Sequence, residues 1–118
     1  MPRLVLASLS SSLFLATLLF SGVAWAGDAA AGNTSYDMYC ATCHGATGVG
    51  DGPAAAALQP APRNFTDATL MSGKTDEQLL EVIRNGSPGT GMTAWGSVLS
   101  EADQANILAY IRSLSATE

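Results

Sequence analysis

The chain has 118 residues, ten acidic residues against five lysines and arginines, and a formal net charge of −5 at pH 7. This length is that of one small domain, and the acidic balance argues against nucleic acid as a partner, because phosphate binding needs clustered Lys and Arg side chains. A domain this short buries a modest share of its surface and often depends on a disulfide, a metal or a cofactor for part of its core.

We interpret residues 1–26 as an export signal that is cleaved from a domain over residues 27–118. Arg3 is the only charged side chain in this stretch, the residues after it are almost all apolar or small, and Ala24-Trp25-Ala26 places small residues at both specificity positions of a cleavage site. An uncleaved membrane anchor is the alternative, since about 20 apolar residues can span a bilayer. In either case we expect the domain to lie in the periplasm, or in the thylakoid lumen of a photosynthetic cell.

The first helical pattern covers about residues 28–40. Asp28 is a favourable N-cap residue, and Gly32, Tyr36 and Cys40 recur at the spacing of one helix face. We expect Gly32 to let this helix cross the last helix closely, with Tyr36 covering the junction. The helix ends at the one cysteine motif of the chain.

The motif Cys40-Ala41-Thr42-Cys43-His44 contains both cysteines and the one histidine of the chain. A disulfide here would close a very small loop and stabilise little, and a thioredoxin-type redox pair belongs in a βαβ setting that this sequence lacks. Zinc normally takes at least three protein ligands and usually four, and beyond the cysteine pair the chain offers only one further histidine or cysteine, His44. Covalent haem attachment, for which C-x-x-C-H is the signature, uses all three residues at once, because the thiols bind the haem edge and His44 binds the iron.

The second and third helical patterns begin with capping signals. Thr75 and Gln78 form a capping box, and this helix ends at Asn85-Gly86. The third helix begins at Ser100, with an acidic residue three positions later, and its apolar stripe continues to about Leu114. No segment alternates convincingly with period two, so we expect no substantial sheet.

Two irregular stretches lie between the helices. Residues 45–69 hold one short helical turn over 54–58, and residues 85–99 hold several glycines together with Met92 and Trp95. Loops this long in a small domain are typical of binding segments or of disorder, and the large apolar side chains argue against disorder. We therefore expect both stretches to wrap around a bound group.

Over residues 27–114 the chain resembles the class I monohaem cytochromes c, and it is similar in style to small bacterial c-type cytochromes and to the c domains of oxidase complexes. The matching pieces, in the order of that family, are Gly32 and Tyr36, CATCHG at 40–45, GDGP at 50–53, GTGMTAW at 89–95, and LSEAD at 99–103 leading to AYI at 109–111. The resemblance implies an all-α cytochrome c fold, with three main helices and irregular loops wrapped around one covalently attached haem c.

The axial ligands of the iron are expected from the same resemblance. His44 would bind one face, and because the chain has no second histidine, a methionine would bind the other. Met38 should lie on the wrong face of the first helix, and Met71 is interpreted as a core residue. Met92 lies in the glycine-rich loop where the family places its distal ligand, although Thr93 follows it where the family commonly has proline.

Further residues are expected around the haem. A metal-bound histidine usually donates its other ring N–H to a carbonyl; the resemblance implies the carbonyl of Pro53, with Pro62 as the alternative, unless Pro53 only begins a short helix. Arg63 and Trp95 are candidates to bind the haem propionates. Their alternatives are a solvated surface arginine and a tryptophan that packs on the haem.

An iron with both axial positions filled has no open site for substrate, so we expect a single-electron carrier and not an enzyme. Its partners would be redox proteins that dock weakly over an exposed haem edge, with membrane contact only through such partners or an uncleaved anchor, and the domain would be a monomer. A c-haem subunit or anchored module of a larger oxidoreductase is one alternative. A sensor or peroxidase-like protein with five-coordinate haem is another, if Met92 does not bind.

Overall fold

The computed structural model describes Met1 and residues 27–116. The export signal predicted over residues 1–26 therefore lies, apart from Met1, outside the described residues. All regular structure in the described part is helical and no strand occurs there, as predicted. No helix within that part has the length and apolar character needed to cross a membrane.

The described chain forms five α-helices and one 3-10 turn. They are α1 (Ala29–Tyr39), α2 (Ala41–His44), the 3-10 turn (Ala55–Ala57), α3 (Ala68–Ser72), α4 (Asp76–Asn85) and α5 (Glu101–Ser115). The three predicted helices are α1, α4 and α5, and the predicted short turn is the 3-10 turn. Helices α2 and α3, with four and five residues, were not predicted because they are too short to show a helical period.

The predicted caps are confirmed. The Asp28 carboxylate accepts hydrogen bonds from the first turn of α1. Thr75 and Gln78 form a reciprocal capping box at α4, and Ser100 and Asp103 form the equivalent box at α5. A cap of this kind typically contributes about 1 kcal/mol to helix stability.

Helices α1 and α5 cross closely at Gly32. A Cβ atom at this position would collide with the carbonyl oxygen of Asn106, so only glycine allows the two backbones to approach this far. The Asp28 N–H also donates to the side-chain oxygen of Asn106 at 2.8 Å. Tyr36 is fully buried beside the crossing, with its ring centroid 5.0 Å from that of Tyr110.

The hydrophobic core joins α1, α3, α4 and α5 with the irregular segments. Its buried residues are Tyr36, Phe65, Met71, Ile83, Leu99, Ile107 and Ile111. The predicted stripe of the last helix accounts for two of them, and Leu114 packs against the cluster.

Arg112 connects α5 to the junction of α3 and α4. Its guanidinium donates to the carbonyl oxygens of Met71 at 2.7 Å and of Lys74 at 2.6 Å. It also pairs with the Asp76 carboxylate at 2.9 Å. This one side chain therefore fixes the start of α4 relative to α5.

Candidate functional site

A cavity of about 810 Å³ lies between the cysteine motif and the two irregular stretches. Its walls come from residues 39–44, 58–65, 70–83 and 87–95, with one residue of α5. This volume is in the range of sites for small molecules and cofactors, about 300–1,000 Å³. The described lining contains two cationic side chains, Arg63 and Lys74, and no carboxylate.

The end of α1 and the short helix α2 place the whole cysteine motif on this cavity. The Cys40 N–H still donates to the Tyr36 carbonyl at 2.8 Å, and the His44 N–H donates to the Cys40 carbonyl at 2.9 Å, so the motif forms about one helical turn. Cys40, Cys43 and His44 all line the cavity, and the two cysteines do not form a disulfide. The two thiols and the imidazole are thus presented to one bound group.

Cys40 lacks the lowered pKa of a catalytic redox thiol. Burial, followed by the proximity of Cys43, raises the pKa of Cys40 to about 11. Redox dithiols need a lowered thiol pKa, because the thiolate is the reactive form. A zinc site also has no support in the described part of the chain, where no group of three or more His, Cys, Asp and Glu side chains comes together.

His44 is held by two contacts from one segment. Its Nδ1 lies 3.3 Å from the carbonyl oxygen of Arg63, and its ring stacks on Phe65 with the centroids 4.4 Å apart and the planes at 20°. Burial lowers the pKa of His44, and the contact with Arg63 acts in the opposite direction. The neutral imidazole, which is the form that binds metals, is therefore favoured.

The carbonyl expected from Pro53 is instead that of Arg63, so this prediction is wrong. Residues 52–54 lie against the backbone of the cysteine motif, where the Ala54 N–H donates to the Thr42 carbonyl at 3.0 Å, and Pro53 is exposed and outside the cavity lining. Pro62 does line the cavity, but its carbonyl lies against Gly50, and the next carbonyl along the chain faces His44.

Two methionines reach the cavity. Met71 is 1% exposed and belongs to the core cluster, as its interpretation as a core residue requires. Met92 is half-buried in the loop between α4 and α5, where its carbonyl accepts from the Ser87 N–H at 3.2 Å. Met38 is 66% exposed on α1 and does not line the cavity.

Arg63 and Trp95, the two candidates for propionate binding, also line the cavity. The Trp95 ring packs against Tyr39 with the centroids 5.4 Å apart. Sequence reasoning missed Phe65 and Lys74 at this site. Phe65 is the one aromatic residue of the irregular stretch 45–69. This position in a predicted binding loop could have indicated that its ring contacts the bound group or its ligand.

The residues present fit a covalently bound haem. The lining is mainly apolar, as a macrocycle requires, and its two thiols and one neutral imidazole match the attachment and ligation chemistry of haem c. The two cationic side chains and the absence of carboxylates from the described lining suit the negative charge of two propionates. Both irregular stretches line the cavity, as expected for segments that wrap around a bound group.

Comparison with known proteins gives the same assignment. A family model described as cytochrome c oxidase, cbb3-type, subunit III matches residues 27–111. Cytochrome c-554(547) of Halothiobacillus neapolitanus is 40% identical over 92 residues, which cover 75% of this chain and 99% of that protein.

Two further comparisons cover very different shares of the matched proteins. The cbb3-type cytochrome c oxidase subunit CcoP of Azospirillum sp. (strain B510) is 35% identical over 89 residues, and the match spans 75% of this chain but only 29% of the subunit. Among solved structures, the c-type cytochrome KustC0563 has 26% sequence identity and a TM-score of 0.60, over 70% of this chain and 95% of its own.

The family match, the full-length similarity to a cytochrome c and the shared fold confirm the predicted all-α cytochrome c architecture and its cofactor. The chain therefore belongs to the cytochrome c family, in the group described as cytochrome c oxidase, cbb3-type, subunit III, and it carries covalently bound haem c.

Proposed function

We propose that this cytochrome is a periplasmic carrier of single electrons whose haem iron is bound by His44 and Met92. The observation that supports this most directly is that both side chains line the same cavity as Cys40 and Cys43. When bound, haem c supplies a one-electron couple that needs no change of ligands. With both axial positions taken by the protein, no position remains for a substrate, and we infer that the protein is not an enzyme.

The protein keeps its two ligands in place from separate segments. His44 is held by the Arg63 carbonyl and by the ring of Phe65. The loop that carries Met92 is attached to α4, because the Trp95 N–H donates to the Ile83 carbonyl at 2.9 Å and the backbone of Ser87 bonds to that of Met92. Ligands held in this way move little between oxidation states, which favours rapid electron transfer.

The cavity walls contribute by excluding water. Apolar side chains around a metal control solvent access and the local dielectric, and so raise or lower the reduction potential. Val82 is 38% exposed and lines the cavity, so it lies where the cavity meets the surface. We infer that redox partners dock weakly over the mouth of the cavity beside Val82.

Met92 is preferred to Met71 as the sulfur ligand because of their surroundings. Met71 is almost completely buried in a cluster of apolar side chains, and its carbonyl is held by Arg112. Met92 is not part of the core cluster, and it lies in the loop between α4 and α5 where that loop lines the cavity. A buried methionine in the core is the common case, and a half-buried one at a metal cavity is the exception.

Absorption spectroscopy of the purified holoprotein tests this assignment. We expect a low-spin haem c spectrum with the weak red band that reports sulfur bound to ferric iron. Met92→Leu should abolish the band, and Met71→Leu, the matched control with the same change of side chain, should keep it. Loss of the band in the control alone would assign the ligand to Met71. A high-spin spectrum that shifts with carbon monoxide would instead indicate a five-coordinate sensor or peroxidase-like protein.

A c-haem module of a larger oxidoreductase is the second candidate. The family model is described as an oxidase subunit, and the chain matches 29% of the length of CcoP. The haem site would be the same in both cases. The intact mass of the exported protein separates a free carrier from an anchored module, because residues 27–118 plus one haem would show that the predicted signal is removed.

A further inference from the structure

We propose that Phe65 is a positioning residue that fixes the rotation of the His44 imidazole about its bond to the iron. The inference rests on the proposed ligation by His44. It adds a specific residue and a physical means by which the protein sets the properties of the bound haem.

The first support is the geometry of the two rings. Their centroids lie 4.4 Å apart and their planes make an angle of 20°, so the phenyl ring covers one face of the imidazole. Phe65 is only 8% exposed, and its ring also packs against the ring of Tyr36, with the centroids 6.4 Å apart and the planes at 68°. An aromatic ring packed on both sides cannot turn without displacing core side chains, so it restrains the imidazole face that rests on it.

The second support is that the carbonyl contact restrains only one atom of the imidazole ring. The distance of 3.3 Å from His44 Nδ1 to the Arg63 oxygen exceeds the usual range of about 2.7–3.2 Å for a hydrogen bond from nitrogen to oxygen. Such a contact selects the side of the ring that faces the carbonyl, but it restrains rotation weakly. The stacked phenyl ring supplies the missing restraint.

The third support is that Phe65 itself is fixed to the loop that follows His44. The Phe65 N–H donates to the Gly48 carbonyl at 2.7 Å, and the Gly50 N–H donates to the His44 carbonyl at 2.7 Å. Gly50 has a φ of +89°, and a Cβ there would lie 2.6 Å from the Pro62 carbonyl oxygen, so glycine lets the two segments meet. The histidine and the ring that restrains it therefore belong to one hydrogen-bonded unit.

The consequence for function is electronic. In a ferric low-spin haem the orientations of both axial ligands, the imidazole plane among them, determine how unpaired spin is distributed over the macrocycle. A rotation of that plane changes the order and spread of the haem methyl resonances in the paramagnetic NMR spectrum. Loss of core volume elsewhere changes the stability of the protein without turning this ring.

The test compares the oxidised holoprotein with Phe65→Leu, which keeps an apolar side chain but removes the stacked ring, and with Phe65→Tyr, which keeps the ring. Leu108→Ala is the control, because Leu108 is 7% exposed on α5 and does not line the cavity. We expect Phe65→Leu to reorder the haem methyl resonances, and Phe65→Tyr to retain the wild-type order. Leu108→Ala should lower the melting temperature and leave the order unchanged.

A wild-type order of resonances in Phe65→Leu would overturn the proposal, whatever its melting temperature. If this variant yields no holoprotein, Phe65→Met replaces it with the same two outcomes. The wild-type spectrum separates this proposal from the proposed function. If the wild-type protein lacks the signals of a low-spin haem bound by histidine and methionine, the proposed ligation is contradicted. If the wild-type protein shows these signals and Phe65→Leu does not alter them, only the role of Phe65 is contradicted.

Discussion

The hydroxyl group of Tyr36 donates a hydrogen bond to the carbonyl oxygen of Gly45 at 2.7 Å, and both residues are buried. Tyr36 lies on α1, and Gly45 directly follows His44. This bond therefore connects the helix that crosses α5 with the residue next to the proposed iron ligand.

Tyr36→Phe should lower the free energy of unfolding by about 1–3 kcal/mol, because it leaves the buried Gly45 carbonyl without its partner. Burial also raises the pKa of Tyr36 well above its ordinary value of about 10. A raised pKa contributes stability that is fully present below about pH 10 and is lost as the pH rises further. The stability difference between wild type and Tyr36→Phe should therefore shrink above about pH 10. Denaturant unfolding on either side of this pH measures it, and a constant difference would contradict the assignment.

Arg112→Gln should lower the free energy of unfolding by about 2–3 kcal/mol, since charged donors to the carbonyls of Met71 and Lys74 are lost. Asp76→Asn removes the negative charge that pairs with Arg112 and that lies in the first turn of α4, and the Asp76 side chain is 68% exposed. An exposed pair contributes about 0–1 kcal/mol, so this variant should cost less. Denaturant unfolding of both variants, at low and high salt, measures the difference. Equal costs would mean that the ion pair, and not the carbonyl contacts, holds the helix junction.

Arg63→Gln and Lys74→Gln should each lower the reduction potential, because a positive charge at the cavity opposes the extra charge of the ferric state. Coulomb's law in a water-like dielectric gives a shift on the order of 20 mV for a unit charge about 8 Å away. Spectroelectrochemical titration measures the potential. Arg84→Gln is the control, since Arg84 does not line the cavity. An equal shift in the control would show an effect of net charge alone.

The sequence predicted the parts of the fold whose signals are local. Caps such as Asp28 and Thr75 act on N–H groups within their own first turn, and the apolar period of α5 is visible without knowledge of its neighbours. The cysteine motif is also local, because helical geometry brings all three of its functional residues to one side. These features were therefore readable from one segment at a time.

The remaining features depend on how distant segments meet. The carbonyl beside His44 belongs to Arg63 rather than Pro53 because residues 52–54 form backbone hydrogen bonds with the cysteine motif. The direction of a backbone carbonyl in an irregular segment cannot be predicted from the pattern of side chains. The contacts of Arg112 span 36 to 41 residues. The stacking of Phe65 required the position of its ring, which an irregular segment does not reveal.

The crossing of α1 and α5 joins the two ends of the described domain. The bond from Asp28 to Asn106 connects residues 78 positions apart, and contacts so remote in sequence form only after the intervening chain has been closed into a loop, at an entropic cost. Every residue that lines the cavity, except Tyr39 of α1 and Ile111 of α5, lies in the sequence between these two helices. We therefore expect the cavity to form only when both helices are present. A fragment that lacks α1 or α5 would keep the loops, but the contact between the two helices that brings these loops together would be lost.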